Sequence, residues 1–180
     1  MLRLLGSAQT SNIKRHTMAD RQYDDERNLE SRTVGHFRSA KVVKGGKNFS
    51  WEALVAAGDR NGNVGLGYGK AKEVAAATEK ATKDARKKMV KISLQGGTIP
   101  HEVMGRYGAS RIKLVPARPG TGIKAGRYVR PLLELVGVRD ILTKAYGSTN
   151  KKNLSKATLQ ALQSLRSREQ IEQDRGVSVS

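Results

Sequence analysis

The chain contains no cysteine and few aromatic residues. Without cysteine it can form no disulfide, thiolate nucleophile or zinc–sulfur site, which fits a reducing compartment. Aromatic residues make up only 4% of the sequence, so few rings are free to stack on unpaired bases. The chain also lacks an apolar run of the roughly 20 residues that cross a bilayer, and a basic helix with large apolar residues opposite its charges. We therefore expect no membrane partner.

Acidic residues are scarce as well. The 34 Lys and Arg outnumber the 16 Asp and Glu, which gives a net charge of +18 on 180 residues. In an isolated protein of this charge the cationic side chains repel one another, and nucleic acid is the polyanion that usually offsets such a charge. Each phosphate contact made by Lys or Arg also releases condensed counterions, which drives binding. The composition therefore predicts a nucleic-acid-binding protein.

The two ends of the chain are expected to lie outside its folded part. The first nineteen residues carry Arg3, Lys14, Arg15 and His16 but no acid, which is typical of an organellar presequence. The interpretation that we favour is an extension ahead of a start at Met18. A Gly-rich break in mid-chain divides the remainder in two. The expected segments are a disordered extension over 1–27, a first domain over 28–94, a linker over 95–100, a second domain over 101–166 and a flexible tail over 167–180.

Alternating apolar residues dominate the first domain. A strand is expected over Ser31–Val43, with a break at Lys44–Lys47. One face of a second strand then holds Phe49, Trp51, Ala53, Val55 and Ala57. Beyond a hairpin turn at 59–63, a third strand has Val64, Leu66 and Tyr68 on one face and Gly65, Gly67 and Gly69 on the other. The stripe of a following helix consists of Val74, Thr78, Ala81, Ala85, Met89 and Ile92, mostly small residues that allow close packing. This unit is predicted to be β-β-β-α.

The second domain is predicted to be β-β-α-β-α. Strands are expected at Glu102–Met104 and Arg111–Val115, around a loop at Gly105–Ser110. The later elements are a loop over Pro116–Gly122, a helix over Ala125–Val136, a strand over Val138–Ala145 and a helix marked by Leu154, Ala157, Ala161, Leu162 and Leu165. The predicted fold class is therefore α+β, in two small domains.

Two glycine-rich segments resemble nucleotide-binding loops but lack the required spacing. In the run from Gly65 to Lys70, no Ser or Thr follows the lysine, which excludes a Walker A loop. In the run from Gly120 to Gly126, the third glycine is one position late for a dinucleotide fingerprint, although a helix start there favours a phosphate of RNA. His101 begins a zincin-like motif, but Gly105 stands where its second histidine is needed. We also find no base–nucleophile pair, so we expect no enzyme, catalytic residue, cofactor, metal or small-molecule substrate.

The candidate RNA-binding residues are cations on loops or beside glycines. At the predicted hairpin tip, glycine lets the backbone approach RNA and lysine neutralises phosphates. This first group consists of Lys41, Lys44, Gly45, Gly46, Lys47 and Phe49. A second group lies on the loops and helix start of the second domain, namely Arg106, Arg111, Lys113, Arg118, Lys124 and Arg127. A third group, around the last loop, consists of Lys144, Tyr146 and Lys151. Because few rings are free, we expect folded RNA, recognised by its shape and backbone.

Several of these segments together resemble a known family, the bacterial small-subunit ribosomal protein five. In the first domain the similar residues are Lys41–Phe49 with Trp51, Gly58–Asp59 and Val64–Ala71. In the second they are His101–Gly105, Gly108, Pro116–Ala117, Gly120–Gly122, Ala125–Gly126 and Lys144–Asn150. The similarity runs in unbroken order from about Asn28 to Leu165, and several motifs in sequence make it specific.

The resemblance implies a fold and a place. The first domain should be like a double-stranded-RNA-binding fold with a shortened first helix. The second should have the fold of domain two of ribosomal protein five. Some ATPases and kinases share this fold, but the domain lacks their sites. The implied function is that of a structural constituent of the small subunit, bound to its rRNA near the neck and the path by which mRNA enters. The implied partners are rRNA, mRNA and small-subunit ribosomal proteins four and eight, and the implied roles are assembly, decoding accuracy and mRNA unwinding.

The resemblance also assigns two sites. The hairpin tip would lie near the rRNA helix where spectinomycin binds. Gly122, Gly126 and Arg130 match the region tied to decoding accuracy and to contact with protein four. The family usually has an apolar residue at Lys124 and a small one at Arg127, so that interface is expected to be more polar in this chain.

The sequence leaves one alternative function open. The resemblance places the chain in the cytoplasm within the small ribosomal subunit, or in an organellar ribosome if residues 1–19 are a presequence. The competing hypothesis is a free double-stranded-RNA-binding regulator or assembly factor. Such a protein has no need of the second domain's docking helix and loops. Sedimentation with small subunits at high salt distinguishes the two hypotheses.

Overall fold

A computed structural model of the chain describes residues 29–177. The predicted disorder over 1–27 and the presequence and start-site interpretations lie outside this range. Within it the chain forms eight strands and four helices. In order they are β1 (Glu30–Val43), β2 (Gly46–Gly58), β3 (Asn63–Ala71), α1 (Val74–Lys87), β4 (Val90–Lys91), β5 (Val103–Tyr107), β6 (Ser110–Pro116), β7 (Ile123–Lys124), α2 (Arg130–Val136), β8 (Ile141–Gly147), α3 (Lys151–Gln163) and α4 (Arg168–Arg175).

The first sheet is antiparallel, in the order β1-β2-β3-β4. β1 and β2 pair along nearly their whole length, up to a tip between Val43 and Gly46. β3 pairs with β2 only from Trp51 onward. The outer part of the hairpin, residues 39–50, is therefore a two-stranded ribbon that extends about 17 Å beyond the third strand, at roughly 3.4 Å per residue. The predicted order β-β-β-α is confirmed, and β4 is an additional strand.

Three glycines of β3 form the surface on which α1 packs. An added Cβ would lie 2.1 Å from the Ala85 carbonyl oxygen at Gly65, and 2.0 Å from that of Ala81 at Gly67. At Gly69 it would lie 2.1 Å from the carbonyl oxygen of Ala77. Two residues along a strand span about the same length as four residues along a helix, so each glycine faces one buried alanine. The glycine face predicted from the sequence thus allows backbone-to-backbone contact between sheet and helix.

The predicted stripe of this helix is partly wrong. The buried positions are Ala77, Ala81 and Ala85, whereas Val74 at the first turn is exposed. The helix ends at Lys87 and does not extend to Ile92. Ile92 is buried all the same, because β4 brings the chain back along β3 and the Ile92 amide donates to the Gly62 carbonyl at 2.8 Å. Ile92 thus continues the spacing of the helical stripe, although it lies in the segment that follows the helix.

The second sheet has the order β5-β6-β8-β7, and only the β7–β8 pair is parallel. One face is covered by α3, whose Ala157 and Ala161 lie against Gly105 of β5. An added Cβ at Gly105 would lie 2.2 Å from the Ala157 carbonyl oxygen. The other face, called here the open sheet face, carries Met104, Arg106, Arg111, Lys113, Lys124, Leu142, Lys144 and Tyr146. The predicted α+β class is confirmed.

Three predicted boundaries in the second domain are wrong. Residues 105–107 belong to β5 and not to a loop, because Gly105 serves helix packing rather than a turn. The helix expected from Ala125 begins at Arg130, since Pro131 is tolerated only in a first turn. The residues before it form β7, which the sequence did not reveal, and a turn in which Gly126 accepts from the Val129 and Arg130 amides. The next strand begins at Ile141 rather than Val138, because the amides of residues 139 and 140 donate to Gly97.

The two units share one core. A continuous apolar cluster contains Leu54 and Leu66 of the first sheet and Leu114, Leu133 and Leu162 of the second unit. The backbones also meet directly, because the Arg60 and Gly62 amides donate to carbonyls of α2, both at 2.9 Å. The predicted linker is tied into this structure. Ile99 is 1% exposed, and the Thr98 hydroxyl donates to the Asp140 carbonyl at 2.7 Å.

The tail also differs from the expectation. Residues 168–175 form α4, with a capping box in which the Ser167 hydroxyl accepts from the Gln170 amide. The Ser-x-x-Gln spacing of Ser167 and Gln170 is the signal in the sequence that indicates this helix start. No residue of α4 is buried, and Arg166 pairs with Asp174 at 3.2 Å. None of the helices among residues 29–177 has the length and apolar character required to cross a membrane.

Candidate RNA-binding surfaces

The hairpin ribbon of residues 39–50, called here the basic finger, carries positive charge without neutralisation by nearby acids. The sequence contains no acid between Glu30 and Glu52. Lys41, Lys44 and Lys47 are all exposed and pair with no carboxylate in the described part of the chain. Backbone geometry therefore projects a cluster of unpaired ammonium groups away from the body of the protein.

Glycine keeps the end of the finger free of side chains. An added Cβ at Gly45 or Gly46 would meet nothing within 4 Å, and Gly46 has a φ of +141°, which favours glycine. Val42 beside them is 71% exposed. Phe49 is also exposed, but the Arg38 guanidinium lies 3.7 Å from its ring centroid and covers one face. The tip therefore offers bare backbone between lysines, as predicted, and only one free face of an aromatic ring.

The open sheet face brings together six of the cations and polar rings expected from the sequence. Strand register places Arg106, Arg111 and Tyr146 in one row across the sheet. Lys113 and Lys144 form the next row, and Lys124 lies on the third. Glu102 is the carboxylate that offsets part of this charge, 3.0 Å from Lys113. Residues from three segments of the sequence thus form one positively charged surface.

Other predicted residues lie apart from that face. Arg118 and Arg127 are exposed on the loop before β7 and on the turn after it. Lys151 begins α3 at the junction of the two units, with its ammonium near two aromatic rings. The structure therefore divides the predicted binding residues into the basic finger, the open sheet face and three separate positions, Arg118, Arg127 and Lys151.

The three predicted protein-interface residues adjoin β7. Gly122 has a φ of +72°, and its amide donates to the Asp140 carboxylate at 2.8 Å. Gly126 is exposed, with open space where a Cβ would be. The Arg130 guanidinium donates to the Ile123 carbonyl at 3.2 Å and pairs with Glu134. Arg130 is therefore held in a fixed orientation at this surface.

Ion pairs extend from this surface across the domain junction. Glu134 also accepts from Arg32 of β1, and Arg32 pairs with Glu30 at 3.2 Å. Glu30 in turn accepts from Arg60 at 2.8 Å. The Arg60 side chain, by this hydrogen bond, holds the pKa of Glu30 below its ordinary value. Charged residues that lie far apart in the sequence thus form a continuous series of ion pairs from the β2–β3 turn to α2.

A second ionic contact joins the units beside α3. Glu52 of β2 accepts from the Lys152 ammonium, and its side chain is only 12% exposed. This hydrogen bond holds the pKa of Glu52 below its ordinary value, against a desolvation that acts in the opposite direction. Lys152 also lies 4.5 Å from the ring centroid of Tyr68. The sequence offered no signal for this contact, because Glu52 resembles any polar residue of an alternating strand.

We predict that Glu52→Gln lowers the stability of the fold by about 1–2 kcal/mol at neutral pH, because Lys152 loses its partly buried partner. The pKa of Glu52 in the folded state lies below its ordinary value of 4.5. The ionised Glu52 carboxylate therefore stabilises the fold above pH 4.5, and this contribution is lost as the pH falls through the folded-state pKa. The difference in melting temperature between wild type and variant should therefore shrink below that pH.

Glu102→Gln is the matched control for this prediction, because its partner Lys113 lies on the open sheet face and the Glu102 side chain is 62% exposed. We expect little effect, as for other surface ion pairs. Equal melting temperatures for the Glu52 variant and wild type at neutral pH would show that the contact does not stabilise the junction.

Comparison with known proteins agrees with this architecture. The family model of the ribosomal protein S5 N-terminal domain matches residues 29–93, and that of the ribosomal protein S5 C-terminal domain matches residues 105–175. The chain belongs to the ribosomal protein S5 family. Its relatives include the small ribosomal subunit protein uS5 of Rhodopirellula baltica, which is 51% identical over 153 residues, or 85% of this chain and 86% of the relative.

Two further relatives carry the same name. The uS5 protein of Psychromonas ingrahamii is 49% identical over 152 residues, which cover 84% of this chain and 91% of that protein. The uS5 protein of Aquifex aeolicus is 46% identical over 154 residues, with 86% and 74% of the two chains covered. The resemblance stated from the sequence motifs is therefore confirmed.

Membership of the S5 family confirms that the chain is a structural protein and not an enzyme. The geometry explains the first of the two glycine runs that resemble nucleotide-binding loops. The backbone of α1 occupies the space above Gly65, Gly67 and Gly69, so no nucleotide fits there. Among residues 29–177 no group of three His, Asp or Glu side chains lies close enough to hold a metal ion.

Proposed function

We propose that this chain is a structural constituent of the small ribosomal subunit and binds its rRNA through the basic finger and the open sheet face. The observation that carries the proposal is the finger itself, in which three unpaired lysines surround bare glycine backbone. Lysine ammonium groups attract phosphates, and glycine allows the backbone to come within contact distance of them. Folded RNA is the partner that offers phosphates on both sides of such a narrow projection.

The open sheet face supports a second contact with the same RNA. Arg106, Arg111 and Lys144 present their charges in neighbouring rows, while Met104 and Tyr146 supply apolar area between them. A flat mixed surface of this kind fits ribose and phosphate groups across a shallow RNA groove. Arg118, Lys124, Arg127 and Lys151 extend the cationic area at its margins.

We place the chain near the neck of the subunit and the path by which mRNA enters, beside ribosomal proteins four and eight. The surface around Gly122, Gly126 and Arg130 is the one we assign to protein four. Its exposed loop and its Arg130, fixed by Ile123 and Glu134, favour a specific protein contact over a diffuse one. At this position the chain supports subunit assembly, decoding accuracy and unwinding of mRNA. Exposed Lys124 and Arg127 make the surface more polar.

Sedimentation and crosslinking of intact ribosomes test this function. We expect the chain in the small-subunit fraction at high salt, because several phosphate contacts and a protein contact act together. Crosslinks from the finger should map to nucleotides of folded rRNA, and crosslinks from the Gly122–Arg130 surface to protein four. Recovery of the chain only in ribosome-free fractions would contradict the proposal and favour a free RNA-binding regulator.

A further inference from the structure

An open cleft of about 600 Å³ lies where the two units meet, apart from the basic finger and the open sheet face. Phe37 of β1 and Tyr128, in the turn before α2, provide its aromatic walls, and the loop 148–150 with Lys151 and Lys152 provides its polar edge. Its volume is within the range of pockets that hold ligands of nucleotide size. The sequence placed Lys151 among the RNA-binding cations, but gave no role to either ring.

Both rings are half-buried against the shared core, and lysine ammonium groups lie near their faces at the cleft. The Lys151 ammonium is 5.3 Å from the Phe37 centroid and 5.4 Å from the Tyr128 centroid, so it stands between them. Lys152 is likewise 5.3 Å from Phe37. These distances are near the outer limit of about 6 Å for a cation–π contact. Arg38, by contrast, lies 3.7 Å from the Phe49 ring. A flat ligand can therefore reach these ring faces when the Lys151 ammonium moves aside.

The charges of the cleft favour an anionic ligand. Lys152 is matched by Glu52. Lys151 pairs with no carboxylate among residues 29–177. Next to it, the exposed Thr149 offers a hydroxyl. One unpaired cation thus stands between two aromatic rings, which is the combination that proteins use to bind single-stranded nucleic acid.

We propose that this cleft holds an unpaired nucleotide of RNA, with its base on the Phe37 or Tyr128 ring and its phosphate at Lys151. The proposal rests on the proposed function, because it assumes an RNA partner, and it adds a second mode of recognition. A base that stacks in the cleft displaces the Lys151 ammonium from the rings toward the phosphate of the same nucleotide. The finger and the sheet face recognise the backbone of folded RNA, whereas this cleft selects a base that has left its helix.

The test compares two RNAs bound by the full-length protein, an unstructured oligouridine and a blunt RNA duplex, by fluorescence anisotropy. Phe37→Leu and Tyr128→Leu should each weaken oligouridine binding about 10-fold, within the range measured for loss of one stacked base. Affinity for the duplex should stay unchanged. Tyr128→Phe keeps the ring and should retain wild-type binding, and Lys151→Gln should reduce the salt slope for oligouridine by about 0.7.

Tyr107→Leu is the matched control. Tyr107 is exposed and has Lys156 4.8 Å from its ring, but it lies outside the cleft, so both affinities should be unchanged. Melting temperatures of all variants are measured alongside, because Phe37 also packs against the core.

Two results would overturn the inference. If the Leu variants melt at lower temperature but bind oligouridine like wild type, the rings and Lys151 only hold the two units together. If both RNAs are weakened equally, the cleft does not distinguish an unpaired base. Failure of the wild-type protein to bind either RNA would instead contradict the proposed function itself.

Discussion

Replacement of both Lys44 and Lys47 by glutamate should weaken binding to a small-subunit rRNA fragment on the order of 100-fold at moderate salt. Each lysine is exposed at the finger tip and has no carboxylate partner in the described part of the chain. The substitution therefore removes two phosphate contacts and adds two negative charges facing the RNA backbone. The slope of log affinity against log salt should become shallower by roughly one for each lost contact.

The fold should not be harmed by this change. The tip makes no packing contact that the glutamates would break, since open space surrounds Gly45 and Gly46. Surface substitutions of this kind usually alter stability by less than about 0.5 kcal/mol. Melting measured by circular dichroism should match the wild type. A marked fall in melting temperature would mean that these lysines stabilise the hairpin instead of binding RNA.

Lys80→Glu combined with Lys83→Glu is the matched control. Both lysines are exposed on α1, and the double substitution changes the net charge by the same amount. If the finger makes the contact, the helix variant should lose far less affinity. Equal losses would show that RNA responds to net charge alone.

Gly67→Ala should destabilise the protein by about 3 kcal/mol, at the upper end of what overpacking costs. The new Cβ would lie 2.0 Å from the Ala81 carbonyl oxygen and 2.3 Å from the Ala85 nitrogen. Both atoms are helix backbone, so relief requires movement of all of α1 away from the sheet. For a chain of this size the expected fall in melting temperature is roughly 6–12 °C.

Gly45→Ala serves as the control for this substitution. Its Cβ would meet nothing within 4 Å, and the stability should change little. Comparison of the melting temperatures of the Gly67→Ala and Gly45→Ala variants separates steric conflict from the general effect of replacing glycine. If the Gly67 variant melts like the Gly45 variant, the close approach of α1 to β3 is not a requirement of the fold.

The sequence predicted well those features that depend on neighbouring residues. The period-two pattern of β2 and β3, the glycine face of β3 and the lysine-rich hairpin tip are all local, and the structure confirms their placement. The early end of α1 was missed because Ile92 continues the helical spacing while its backbone pairs elsewhere. Gly105 was assigned to a loop because nothing nearby in the sequence reveals that α3 lies on it.

Contacts between distant segments could not be predicted. Both faces of β2 are buried, since Ala53 and Val55 face α1 while Leu54 and Ala56 face the second unit. That second burial depends on how the two units dock. The Glu52–Lys152 contact and the rings of Phe37 and Tyr128 depend on the same docking. Functional chemistry at a junction therefore appears only after the tertiary structure is known.

The direct backbone contact between the units has a consequence for RNA geometry. Arg60 and Gly62 donate to carbonyls of α2, and a Cβ on Gly137 would lie only 2.0 Å from the Arg60 carbonyl oxygen. The finger and the open sheet face are consequently mounted at a fixed spacing and angle. RNA segments that occupy both surfaces must adopt that same relative orientation, and once the first is bound the second meets its surface at high effective concentration. Under the proposed function, the protein would therefore fix the angle between the two RNA segments bound at these surfaces.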